Sequence, residues 1–160
     1  MTDILEVFEG KDLSYANPWM YQGEIFTSEM IGDYYGFVYK IINKQDGRWY
    51  FGKKFFSSSK ILQATKGSKN VPARKKKKIR VMSDWQEYYG SSDELKADVE
   101  KIGIDNFSRE IIHLCVSTSH CSYMETKEIM CSDAILRKES YNSWVTVKIT
   151  KVHVGKFKIS

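Results

Sequence analysis

The chain predicts an α+β domain: a small antiparallel three-stranded sheet flanked by helices, with an N-terminal extension before it and one or two extra strands after it. Three observations carry that expectation. Two apolar, aromatic segments flank the Asp46-Gly47 turn signal. A capped helical segment, a β-rich segment and a second helical segment follow in that order. A lysine-rich stretch separates the hairpin from these elements. Hairpin, basic insertion, helix, strand, helix and terminal strands in sequence describe an α+β fold rather than alternating βαβ units.

Residues 1–34 read as an extension. Asn17-Pro18 marks a turn, and Trp19, Met20, Tyr21, Ile25 and Phe26 supply apolar surface to pack on a domain. The domain spans 35–145 and opens with the hairpin over about 36–54, because Gly36-Phe37-Val38-Tyr39 and Trp49-Tyr50-Phe51-Gly52 are apolar runs on both sides of an Asp-Gly. Residues 55–83 carry serine, glycine and lysine with little periodicity, which predicts an insertion with one helical turn near Lys60 to Thr65. Ser91 and Glu94, three apart, form a capping-box start for a helix that stops at Gly103. The third strand is expected over Phe107 to Val116, and a second helix over about 120–137 capped by Ser117 or Ser119. From Trp144 to Ile159 apolar and polar residues alternate, so 146–160 is expected to add strand.

A chain of 160 residues forms one domain and buries a core without staples. Cys115, Cys121 and Cys131 are odd in number and unpatterned, which suits reduced thiols. There is no apolar run of membrane-spanning length, and Met1 to Glu9 is acidic rather than a basic signal region, so the expected location is the cytoplasm.

Charge is distributed unevenly. Eleven cations lie between Lys53 and Arg80 with no acid among them; set against a net charge of +5, they leave the rest of the chain at −6. A concentration of this kind is the footprint of a polyanion binder. A solvated loop is the alternative.

The hairpin resembles the core of the GIY-YIG nuclease family, whose name spells Gly-Ile-Tyr and Tyr-Ile-Gly; here the two motifs read Phe37-Val38-Tyr39 and Tyr50-Phe51-Gly52. Gly90 to Gly103 is similar to that family's second helix, and Asn106-Phe107 through Ile112 to its third strand. Met124-Glu125-Thr126-Lys127-Glu128-Ile129 resembles the helix whose glutamate binds the metal, and Tyr141-Asn142 the closing pair. The resemblance covers roughly 36–145 and is nearest to nucleases of phages and their mobile elements. It implies a metal-dependent endonuclease acting on DNA with Mg²⁺ or Mn²⁺, held by Glu125. One position departs: where the family carries an arginine on a helix after the second motif, this chain has Lys60. Lysine lacks arginine's bidentate fork for phosphate, so Lys60, Lys53 or Lys54, or else Arg74 or Arg80, is left to take that task.

Phosphodiester hydrolysis needs an activated water, a cation on the scissile phosphate and stabilisation of developing charge. Mg²⁺ takes oxygen ligands and often uses one carboxylate while keeping waters. On the implied assignment Tyr39 is the general base, its phenol made more acidic by nearby positive charge, Tyr50 orients water or phosphate, and Asn142 supports the site by hydrogen bonds. Each residue has a plainer reading: tyrosines packing by one face, Glu125 on a solvated helix face with Glu128 as the competing carboxylate, Asn142 as a turn residue. Glu125 is expected off an apolar stripe of Tyr123, Met124, Met130, Cys131, Ala134 and Ile135. His113, Cys115, His120 and Cys121 lie close in sequence but match no zinc spacing.

The function expected is therefore DNA cleavage, with Arg74, Lys75, Lys76, Lys77, Lys78 and Arg80 holding backbone phosphates and specificity low or supplied by a protein partner. The alternative is a degenerate module that binds nucleic acid or protein and cuts nothing.

Overall fold

The computed structural model describes residues 15–70 and 72–145. Among these residues seven strands and two α-helices succeed one another: β1 Met20–Tyr21, β2 Glu24–Ile25, β3 Gly36–Asn43, β4 Trp49–Phe55, β5 Ser57–Leu62, β6 Lys77–Met82, α1 Asp93–Ile102, β7 Phe107–Cys115 and α2 Thr118–Cys131. The terminal strand expected over 146–160 lies outside the described residues.

β3 and β4 form the hairpin that the Asp-Gly signal predicts. Gly47 takes a positive φ of 77°, a conformation cheap only without a Cβ. Asn43 Oδ1 accepts from the Gln45 amide and Asp46 Oδ1 from the Arg48 amide, so two side chains fix the loop. β7 pairs antiparallel with β3 on its other side, which completes the expected three-stranded antiparallel sheet with β3 at its centre. The N-terminal extension lengthens it. β1 pairs parallel with β7 and β2 closes the edge, giving the order β2-β1-β7-β3-β4. Trp19 and Phe26, both fully buried, pin that extension, and the Trp19 indole N–H donates to the Trp85 carbonyl at 2.7 Å.

Alternation along β3 divides the core. Phe37, Tyr39 and Ile41 face Trp19, Trp85 and Leu95 of α1, whereas Val38 faces Cys115 and Cys121 on the α2 side. The register of β7 against β3 slips between Val38 and Tyr39. This bulge changes which face the following β7 residues occupy. Ile111 therefore packs in the Tyr39 layer, while Ile112 and Cys115 pack on the α2 side.

Three local expectations are corrected. The basic insertion forms no helical turn at Lys60 to Thr65; β5 and β6 pair there as an antiparallel ribbon, because Ser57 to Leu62 finds a partner of matching length across the lysine run. Ser92, not Ser91, caps α1 by accepting from the Leu95 amide, since the Ser91 hydroxyl is bonded to Tyr50. α2 stops at Cys131 rather than 137, where Asp133 adopts a left-handed conformation with φ 54° and a single 3-10 turn follows. Ser117 caps α2 by accepting from His120. Among the described residues no helix is long and apolar enough to cross a membrane.

Candidate active site

β4 is the edge strand opposite β2 in the sheet, and residues 139–142 run beside it. The Trp49 amide donates to Glu139 at 3.0 Å and the Tyr141 amide to Trp49 at 2.8 Å. One step further the Asn142 side chain takes over: Oδ1 accepts from the Phe51 amide at 2.9 Å and Nδ2 donates to the Phe51 carbonyl at 2.8 Å. A carboxamide offers one donor and one acceptor in the arrangement of a peptide unit, so Asn142 caps the edge where a backbone ladder would continue. Tyr141 anchors the segment by donating to Asp98 at 2.7 Å and accepting from Asn43 at 3.1 Å. Burial, with Asp98 beside it, pushes the Tyr141 phenol up to about 12.

Past this cap a cleft of about 280 Å³ opens, lined by Tyr50, Lys53, Ser91, Glu125, Asn142 and Trp144 among others. Four of the residues singled out in the sequence meet here: Tyr50, Lys53, Glu125 and Asn142. Glu125 reaches the cleft in a way the sequence misjudged. The buried residues of α2 are His120, Cys121 and Ile129, while Tyr123 and Met130 of the expected stripe are exposed. Cys121, Glu125 and Ile129 are four apart and share one face, so Glu125 points toward the sheet rather than away from it. Its side chain is 18 % exposed, and Oε1 accepts from Lys53 Nζ at 2.9 Å. Glu128 is engaged elsewhere, with His113 Nε2 at 2.8 Å.

Tyr50 and Tyr39 occupy two layers. The Tyr50 hydroxyl shares a hydrogen bond of 2.9 Å with Ser91 Oγ at the cleft wall. Tyr39 lies behind it, ring centroids 6.1 Å apart, and is fully buried against Trp19. Its ring crosses directly over Gly52, its cross-strand partner. Tyr88 packs on the same ring edge-on at 6.1 Å. The Tyr88 hydroxyl is the hydrogen-bonding neighbour of the Tyr39 hydroxyl, although their geometry falls short of a well-formed hydrogen bond. The sequence suggested a phenol made more acidic by positive charge. The fold does the reverse: burial, then Tyr50, Tyr88 and the Glu125 carboxylate, hold Tyr39 well above its ordinary value. Burial raises Tyr50 and Tyr88 as well.

The other predicted cations are dispersed. Lys54 points to the Tyr39 face, bonded to Asp84 at 2.5 Å and stacked over Tyr88 at 3.8 Å; that pairing draws the Asp84 carboxyl below its usual range. Lys60, Arg74, Lys75, Lys76, Lys77 and Lys78 are exposed on the ribbon and its tip. Arg80 donates to Ser57 Oγ and covers the Tyr35 ring at 4.9 Å. Among the described residues, Lys53 is therefore the cation that lines the cleft.

His113, Cys115, His120 and Cys121 do not gather as a metal cluster; among the described residues no group of three or more such side chains is placed to hold an ion. Cys115 and Cys121 are buried free thiols, and their mutual contact and burial push the Cys121 thiol up. Sequence reasoning did not anticipate that Ser91 lines the cleft or that Tyr88 packs on Tyr39, although Tyr88-Tyr89-Gly90 stands immediately before the α1 start. It also missed Arg109. This arginine is 1 % exposed, lies between the Trp19 and Tyr89 rings and donates to the carbonyls of Asn17 and Tyr88. It thereby ties the N-terminal extension to the loop that carries Tyr88.

Residues 19–145 match the family model SegE_GIY-YIG, described as "Putative endonuclease segE, GIY-YIG domain". The match takes in residues 19–34, whose strands β1 and β2 belong to the same sheet. No curated protein and no solved structure matches the chain.

Proposed function

Because the chain belongs to the GIY-YIG endonuclease domain family, we propose that it is a divalent-metal-dependent endonuclease that hydrolyses DNA phosphodiester bonds in the cleft beside β4. The observation that carries this reading is convergence: Tyr50, Lys53, Glu125 and Asn142, drawn from β4, α2 and the closing segment, line one cavity. The donor set suits Mg²⁺ or Mn²⁺. Glu125 supplies one carboxylate, the hydroxyls of Tyr50 and Ser91 are adjacent, and the cavity leaves room for several waters. Bound there, the ion would polarise the phosphate and offset charge on the leaving oxygen.

The remaining roles belong to the chain's own residues. Lys53 sits where a scissile phosphate would meet Glu125, and takes the charge-stabilising task that the family gives to arginine. It does so as a point charge, without the bidentate fork. Tyr50 orients the attacking water or the phosphate through a hydroxyl already fixed by Ser91. Tyr39 is the candidate base, and its raised pKa means that it needs a cation close by before it can give up its proton. Asn142 holds the edge of β4, and hence the placement of Tyr50 and Lys53, through its two bonds to Phe51.

A second reading draws on the same ion pair. The Lys53 ammonium occupies one oxygen of Glu125, which favours a module that binds nucleic acid or protein without cutting. Incubating the full chain with supercoiled plasmid in Mg²⁺ or Mn²⁺, and in EDTA, separates the two. Nicked or linear product in metal alone is expected. Binding with no product in either metal leaves the second reading.

A further inference from the structure

We propose that the β5–β6 ribbon docks on duplex DNA through one of its two faces, and that the opposite face makes no phosphate contacts. The inference rests on the DNA-directed reading above and goes beyond it by naming the face. The six ladder pairs run from Ser57↔Met82 to Leu62↔Lys77. The isolated bridge Thr65↔Arg74 keeps the same register toward the tip. The ribbon therefore reaches from Ser57 to Thr65 in one register, its ladder ending at Leu62↔Lys77 with one bridge beyond, a span of about 27 Å at roughly 3.4 Å per residue.

Residues paired across an antiparallel ladder point to the same face, and neighbours along a strand to opposite faces. The uninterrupted lysine run is thereby sorted. One face carries Arg74, Lys76, Lys78 and Arg80 from one arm, at intervals of about 6.8 Å, two residue steps. Opposite them stand Ser59, Ile61, Gln63 and Thr65; Ile61, across from Lys78, is an exposed aliphatic, while Ser59, Gln63 and Thr65 can donate to phosphate oxygens. The other face carries Lys60, Lys75 and Lys77, interrupted by Leu62, Ala64, Ile79 and Val81; Ile79 and Val81 are half-buried. No acid stands on either face. What sets the first face apart is that one arm presents four successive cations, Arg74, Lys76, Lys78 and Arg80, with no other side chain between them on that face, a row complementary to a phosphate backbone. On the second face the same arm presents only Lys75 and Lys77 before Ile79 and Val81 end the row, and Lys60 stands apart on the other arm. Arg80, stacked on Tyr35 and bonded to Ser57, holds the base of the cationic row against the domain.

Two variants with equal loss of charge test this. One carries Arg74→Gln, Lys76→Gln and Lys78→Gln; the other carries Lys60→Gln, Lys75→Gln and Lys77→Gln. All six positions are exposed, and circular dichroism spectra superimposable on wild type establish that both variants fold. Affinity of the full chain for a short duplex is measured against salt concentration in EDTA, so no result depends on cleavage. The slope of log affinity against log salt is expected to flatten by up to about 2.7 in the first variant, at roughly 0.9 per lost contact, and by well under one in the second. Equal flattening in the two overturns the assignment of a face and makes the ribbon an undirected polycation. No flattening in either, or no duplex binding by wild type, removes the ribbon as a DNA surface. The cleft's nuclease reading is decided separately, by the plasmid assay.

Discussion

Tyr39→Phe is expected to separate activity from stability. The substitution removes one hydroxyl, which is buried and has Tyr88 as a hydrogen-bonding neighbour but no well-formed hydrogen bond among the described residues. An unsatisfied buried polar group costs about 1–3 kcal/mol, so unfolding of the variant should occur at the wild-type temperature or above it. Cleavage should nevertheless fall by about 10²–10⁴, the range typical of a lost acid–base group. If the variant unfolds more easily and cuts at the wild-type rate, Tyr39 is a packing residue whose hydroxyl is bonded, and the base must be sought elsewhere.

Gly52→Ala should cost more than Tyr39→Phe in fold and activity together. A Cβ at Gly52 would overlap the Tyr39 hydroxyl oxygen, lie 2.6 Å from Tyr39 Cζ and stand 2.8 Å from Tyr50 Cε1. The Tyr39 ring has no free space, since it is enclosed by Trp19, Tyr50 and Tyr88, and yielding by Tyr50 would move its hydroxyl from Ser91. At an unconstrained position glycine-to-alanine stabilises by about 0.4–1 kcal/mol through the unfolded chain. Here overpacking of about 1–3 kcal/mol should outweigh that gain, and both tyrosines should be displaced. Chemical denaturation should show lower stability and the plasmid assay a loss at least as large as that of Tyr39→Phe. A stabilised, active Gly52→Ala would mean that the two rings can move aside freely and that their positions are not set for chemistry.

The sequence disclosed the hairpin because its information is local: an Asp-Gly between two aromatic, β-branched runs admits few alternatives. Motif resemblance singled out Glu125 and Asn142, and both line the cleft, but the orientation of Glu125 was not legible. α2 buries few large residues, and Tyr123 and Met130, the apolar side chains that suggested a stripe, are exposed. The choice between Ser91 and Ser92 as the α1 cap depended on Tyr50, 41 positions earlier, taking the Ser91 hydroxyl. The depth of Tyr39 depended on Trp19 folding over it from the extension. The ribbon was hidden for another reason. Lysines at consecutive positions from Lys75 to Lys78 carry no period-two signal, so only pairing with Ser57 to Leu62 assigns them to faces.

Cutting at the cleft beside β4 is tested most directly by single-turnover nicking of supercoiled DNA in Mg²⁺, with wild type and Glu125→Gln compared at matched duplex occupancy. Gln keeps the shape of the side chain and its place between Cys121 and Ile129, and removes the charge that pairs with Lys53. The rate should fall by about 10²–10³, as expected for loss of one group that stabilises charge in the transition state, while duplex affinity and thermal stability remain close to wild type. Nicking at the wild-type rate by Glu125→Gln would contradict the placement of the metal and of the reaction in this cleft.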